Sequence, residues 1–190
     1  MVNPAYRIIH TVELNGSRLL VDGRCLISLE ERGGESLHEK FNAFYKLGGF
    51  DYPRFFKMDP FCKAGVLCAL PVLKYMKNQP RAEDSGFLLF TSSGCRMADE
   101  EHIQQFSQGM PSPAVFVYTL PNILVGEWSI LSGWKGWCQC HIVQGADKNL
   151  ILNAVERHYK QGNEAPLAAA WCVVEPGHVE AFLFICEKAE

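Results

Sequence analysis

Eight cysteines and six histidines are the groups in this sequence best suited to nucleophilic or metal chemistry. Two places bring the types together: Cys138 and Cys140 run directly into His141, and Cys95 shortly precedes His102. A thiol beside an imidazole is how a cysteine nucleophile meets its base, as in a small acyltransferase or thioesterase. Each pair also has a plainer reading. On a strand, residues 140 and 141 point to opposite faces, and Cys95 and His102 bracket Asp99, Glu100 and Glu101, which read as the solvated start of a helix. A structural zinc site takes four ligands, usually as two pairs. No second pair follows Cys138 and Cys140, so neither metal nor cofactor is expected. Cys62, Cys68, Cys172 and Cys186 fall inside apolar periodic segments and read as buried reduced thiols. A third cluster is basic: Arg54, Lys57 and Lys63 stand among Tyr52, Phe55, Phe56 and Phe61. It would suit an acyl chain or an acidic carrier protein, against the plainer reading of lysines solvating a helix whose aromatics fill the core.

The elements that must position these groups belong to one domain over residues 1–190, since 48% apolar and 21% charged residues is the balance of an ordinary globular chain. A net charge of -3, with no block of like charges, argues against a nucleic-acid partner. Met1 to His10 holds no run of signal-peptide length, and no stretch of about 18 apolar residues marks a membrane span. The expected location is the cytoplasm.

Tyr6 to Leu14 and Arg18 to Asp22 read as strands joined at Asn15-Gly16, a strong hairpin signal. Glu35 to Leu47 reads as a helix with Ser36 as N-cap, ended by Gly48-Gly49. A longer helix starts at Asp59-Pro60 and runs to about Lys77, kinked at Pro71. Phe87 to Thr91 and Ala114 to Tyr118 are short apolar runs that read as central strands, the second feeding a helix that begins near Pro121. Trp137 to Val143 is a further strand, Asp147 caps an amphipathic helix closed by Gly162, and Ala168 to Val174 with Ala181 to Cys186 form an antiparallel pair. This alternation predicts an α/β domain layered α/β/α around one mixed, mostly parallel sheet with an antiparallel edge.

Three segments in order resemble the N-terminal half of β-ketoacyl synthases, the thiolase-like condensing enzymes. Phe56-Lys57-Met58-Asp59-Pro60 running into Cys62-Lys63-Ala64-Gly65 is similar to the start of that family's first long helix. Pro113 to Asn122 is similar to the stretch where a family strand ends in T-A-C-x-S, and Ala168 to Glu187 looks like the strand after the next helix. The resemblance covers most of the chain from about Phe55 onward.

The resemblance implies a free-standing thiolase-like half. Condensing chemistry needs a thiolate at a helix N-terminus with backbone N–H groups to hold the oxyanion. In the matched register Thr119 stands at the family threonine, Leu120 at the alanine and Pro121 at the cysteine, followed by Asn122, so the nucleophile is absent. The family's histidines and lysine from its C-terminal half have no counterpart here. The implied protein is a non-catalytic subunit like a chain-length factor, in fatty-acid, polyketide or aryl-polyene-type synthesis. Its implied partners are a second copy or a full-length β-ketoacyl synthase, with an acyl carrier protein nearby. The family pairs its subunits through the strand before the nucleophile, here expected to be Ala114, Val115, Phe116, Val117 and Tyr118.

Overall fold

The computed structural model describes residues 5–30 and 36–189. The chain opens as a three-stranded meander, β1 (Tyr6–Asn15), β2 (Arg18–Val21) and β3 (Arg24–Ser28). The first turn is the expected one; the second, Asp22-Gly23, has positive φ at both residues, as a tight hairpin of the right twist requires. That D-G pair is a hairpin signal passed over in the sequence, and with it the strand β3. Helix α1 (Leu37–Leu47) begins in a complete capping box, Ser36 with Glu39; Glu35 lies outside the described residues.

Asp59 caps α2 (Pro60–Ala69), its carboxylate accepting from the N–H groups of Phe61 at 3.1 Å and Cys62 at 3.0 Å. Every residue of α2 is buried. The expected break at Pro71 is a 3-10 turn, Leu70–Val72, before α3 (Leu73–Lys77). The chain continues through β4 (Gly86–Thr91), α4 (Arg96–Ser107), α5 (Pro113–Val117), α6 (Ile123–Ser132), β5 (Cys138–Ile142), α7 (Lys148–Lys160), β6 (Leu167–Glu175) and β7 (His178–Lys188).

The seven strands form one mixed sheet in the order β3-β2-β1-β7-β6-β4-β5. Its parallel part is smaller than expected. Only β4 with β5 and β4 with β6 run parallel; the other four pairings are antiparallel. Tight turns join β1, β2 and β3 to one another and β6 to β7, and a tight turn can only join antiparallel strands. Along β6, Ala168, Ala170, Cys172 and Val174 face the core built with α1, α2 and α6, whereas Leu167, Ala169, Trp171 and Val173 face α7. Helices therefore cover both faces, as the layered reading requires. Gly65 lets α6 close on α2: a Cβ there would meet Leu124 side-chain atoms at 2.4 Å, and the Trp128 indole N–H donates to the Gly65 carbonyl at 3.0 Å.

The segment Ala114 to Tyr118 is not a strand. It forms α5, with Ser112 as N-cap accepting from the Val115 N–H and Pro113 at the first helical position. Its apolar composition is ambiguous between strand and buried helix, and the Ser-Pro start decides for helix. No residue of α5 is buried, and the places beside β4 are taken by β5 and β6.

Candidate functional site

Ligands of open α/β sheets bind beyond the carboxyl ends of parallel strands. Here those ends are Thr91, Ile142 and Glu175. Two of the strands feed helices, β4 into α4 and β5 into α7. At the first junction Thr91 Oγ1 accepts the Gly94 N–H at 3.0 Å, which turns the chain toward Cys95, the N-cap of α4. Gly94 has φ +54, and a Cβ there would stand 3.0 Å from Pro121 Cγ. Pro121 thus packs at the end of β4, but it arrives from the turn between α5 and α6 rather than from a strand. The sequence register that set Pro121 at a strand-borne nucleophile position, with Thr119, Leu120 and Asn122, has no strand beneath it. The second junction is residues 143–147, Val143-Gln144-Gly145-Ala146-Asp147, where Asp147 caps α7 through the Asn149 N–H at 2.8 Å.

The thiols nearest the first junction are buried. Burial pushes Cys62, Cys95 and Cys172 well above the ordinary thiol range, and the negative charge of the half-buried Asp59 adds to it at all three. A reactive cysteine needs the opposite shift. Cys95 shares no hydrogen bond with His102 among the described residues; the His102 ring packs instead at 5.4 Å from Phe116 and 6.5 Å from Phe106. On β5 the alternation separates the other pair as the strand reading requires. Cys138 and Cys140 line a shallow pocket against Asn122 and Val125 of the α6 side, while His141 lies on the other face, stacked on Phe90 at 4.9 Å. Burial raises both thiols. The described residues hold no group of three or more His, Cys, Asp or Glu side chains arranged for a metal.

Of the basic cluster, Arg54 and Lys57 are exposed and Lys63 is not. Lys63 is 1% exposed, its ammonium 3.0 Å from His38 Nδ1, 3.1 Å from Asn42 Oδ1 and 5.4 Å from the Phe55 ring centre. It ties α1 to α2 and is withdrawn from any carrier. Lys57 is exposed. Arg54 reaches from the 3-10 turn Pro53–Lys57 onto Glu127 of α6, with Nη2 to Oε1 at 3.0 Å and Nε to Oε2 at 3.4 Å. Glu127 is 3% exposed and also accepts from the Tyr52 hydroxyl at 3.0 Å. Burial and this carboxylate push Tyr52 up to about 12. Sequence reasoning missed Glu127, the one carboxylate set in an apolar helix, I-L-V-G-E-W; a lone acid in such a run is a signal for a buried ion pair.

No protein-family profile matches the chain, and no curated protein matches it. Solved structures do. A chain of the ketosynthase ApeO in complex with its chain length factor ApeC, from Xenorhabdus doucetiae, superposes with a TM-score of 0.65 at 14% identity over 97% of this chain and 79% of that one. This is the ketosynthase fold. The ishigamide ketosynthase/chain length factor superposes with a TM-score of 0.62 at 17% identity, over 97% of this chain and 62% of that one. A β-ketoacyl synthase from Burkholderia phymatum STM815 gives 0.58 at 10% identity, over 98% and 59%. The chain thus spans less than two thirds of the latter two proteins. Its ketosynthase-like, thiolase-type fold is the α/β layered, mixed-sheet class expected from the sequence. Within the described residues, no helix is long and apolar enough to cross a membrane.

Proposed function

We propose that this chain is a ketosynthase-like subunit without condensing activity of its own, which pairs with a complete ketosynthase as a chain length factor does, in polyketide or aryl-polyene-type synthesis. The observation that carries the reading is the pair of strand-to-helix junctions. One holds no thiol at all in residues 143–147, and the other holds only Cys95, 3% exposed and raised in pKa by burial. A nucleophile needs a thiolate at such a junction, and the ketosynthase fold without one is a scaffold for association.

The surface that suits association has two parts. Among the described residues strand β5 pairs only with β4, which leaves its outer edge unpaired there, and it carries no Lys or Pro to blunt it. Ile142 and Trp137 flank that edge, 68% and 42% exposed. On α4 and α5, Phe106 and Phe116 both pack on His102 and stay 69% and 55% exposed, exposed apolar surface of the kind found at interfaces. Residues 114–118 therefore keep a place in the proposed interface as an exposed helix, while the pairing strand is β5. An acyl carrier protein, if it docks, meets the assembled pair rather than Lys63.

Co-expression with a complete ketosynthase from the same organism, followed by affinity capture and sedimentation, tests this. The expected result is a stable heterodimer and no condensation of acyl and malonyl carrier substrates by the chain alone. Condensation by the isolated chain, or a monomer that captures neither a ketosynthase nor a second copy, overturns the proposal.

A further inference from the structure

Between β5 and α7 lies a cavity of about 520 Å³, within the size range of small-molecule sites. Its lining shares Trp137 with the proposed pairing edge and Val143 with the second junction, and the rest of it lies on β4, β5, α7 and the turn that follows α7. Its floor and one end are apolar: Leu88 and Phe90 of β4, Val143, and Leu150 and Ala154 of α7. Its other end is polar, with Arg157, His158, Gln161 and Asn163 near Trp137, while His141 lies further along β5 against Phe90. Residues 150, 154, 157, 158 and 161 share one face of the helix, because they recur at three- and four-residue spacing. Leu150 and Arg157 stand about 10 Å apart along the axis, at about 1.5 Å per residue.

The charge of the lining is one-sided. Arg157 and two imidazoles line the cavity with no carboxylate among its lining residues, in a chain of net charge -3. The two rings are held in place. His141 Nε2 lies 2.9 Å from Gln139 Oε1 with its ring on Phe90, and the His158 ring lies 5.2 Å from the Trp137 ring. Arg157 makes no ion pair among the described residues, whereas Lys160 one turn on is bound to Glu156 at 3.0 Å. A guanidinium free of ion pairs among the described residues, next to the His158 imidazole, can hold a carboxylate by charge-assisted hydrogen bonds, and an apolar slot that begins within one helical turn at Ala154 and runs to Leu150 accepts an alkyl tail. We propose that this groove binds a medium-chain carboxylate, its head at Arg157 and His158 and its tail along Ala154, Leu150 and Val143.

Calorimetric titration of the full chain with sodium octanoate, 1-octanol and inorganic phosphate tests the assignment. Octanoate is expected to bind in a saturable one-to-one fashion, with octanol at least about tenfold weaker for lack of the charged contact and phosphate unable to displace it. Arg157→Gln and Leu150→Asn, both on the exposed side of α7, should each weaken octanoate about tenfold or more with unchanged circular dichroism. Lys160→Gln should leave affinity unchanged. No octanoate binding by the wild-type chain overturns the proposal, as does binding that Arg157→Gln and Leu150→Asn leave intact. Octanol binding as tightly as octanoate refutes the head-group assignment, and phosphate competing on equal terms refutes the tail.

Discussion

The two faces of the sheet are built differently. On one face α2, wholly buried, is boxed in by α1, α6 and the strands, and tryptophans 128 and 134 pack on Phe87 with ring centres 5.7 and 5.3 Å away. Its two buried charged groups are engaged: Lys63 by His38 and Asn42, Glu127 by Arg54 and Tyr52. On the other face a single amphipathic helix, α7, sets Ile151, Val155 and Tyr159 against Leu88, Trp171, Phe182 and Phe184, and leaves a groove along β5. The first face behaves as scaffold and the second as a place where something else can bind. Close packing separates them, because a filled interior gives no room for a ligand while one helix cannot cover a sheet edge.

The largest expected effect tests the closed face. Leu67→Ala, deep in α2, should cost toward the upper end of the roughly 2–5 kcal/mol that such truncations cost where neighbours cannot collapse, read by urea unfolding. Arg54→Ala comes next at about 3 kcal/mol: it leaves Glu127 buried with only the Tyr52 hydroxyl as partner, and the 57% exposure of the Arg54 side chain holds the loss to the low end for a broken buried pair. Ile151→Ala on the open face should cost about 2 kcal/mol, because the residues along the groove have room to settle. An Ile151→Ala loss equal to that of Leu67→Ala would erase the distinction between the faces.

A smaller effect concerns pH. Burial lowers the pKa of His38 on the first face, helped by Lys63, and of His158 on the second. The unfolded chain takes up protons at these histidines near 6.5, and the folded chain does so only at lower pH. Their contribution to stability is therefore complete above pH 6.5 and declines as pH falls below it, through the lowered values. His158→Gln should flatten that decline and leave stability at pH 7.5 nearly unchanged, measured by unfolding across a pH series. The smallest effect is expected outside both cores. Phe116→Asp, at a residue 55% exposed, should alter stability by less than about 0.5 kcal/mol, yet weaken association with a ketosynthase partner. If Phe116→Asp instead unfolds the chain, α5 belongs to the closed core.

Local chemistry made much of this molecule legible. Ser36, Asp59 and Asp147 cap helices as their types require, Pro71 interrupts α2 and α3, and the Asn15-Gly16 and Pro176-Gly177 turns sit between paired strands. Such signals act within one helical turn or one hairpin, so a short window of sequence contains their cause. The order of the three family-like segments led to the right fold class although no sequence match supports it. Other features depend on residues far apart in the chain. The run A-V-F-V-Y suits a core strand by composition, but β5 and β6 already flank β4, and the segment closed as a surface helix behind Ser112-Pro113. Lys63 looked like part of a basic surface until α1 covered it, and Glu127 acquired its partner from residues over seventy positions earlier. The sequence by itself determined caps, turns and periodicity, because those energies are local. Which apolar run is buried, which charge is paired and which edge stays open were decided only by tertiary packing, where long-range contacts outweigh local propensity.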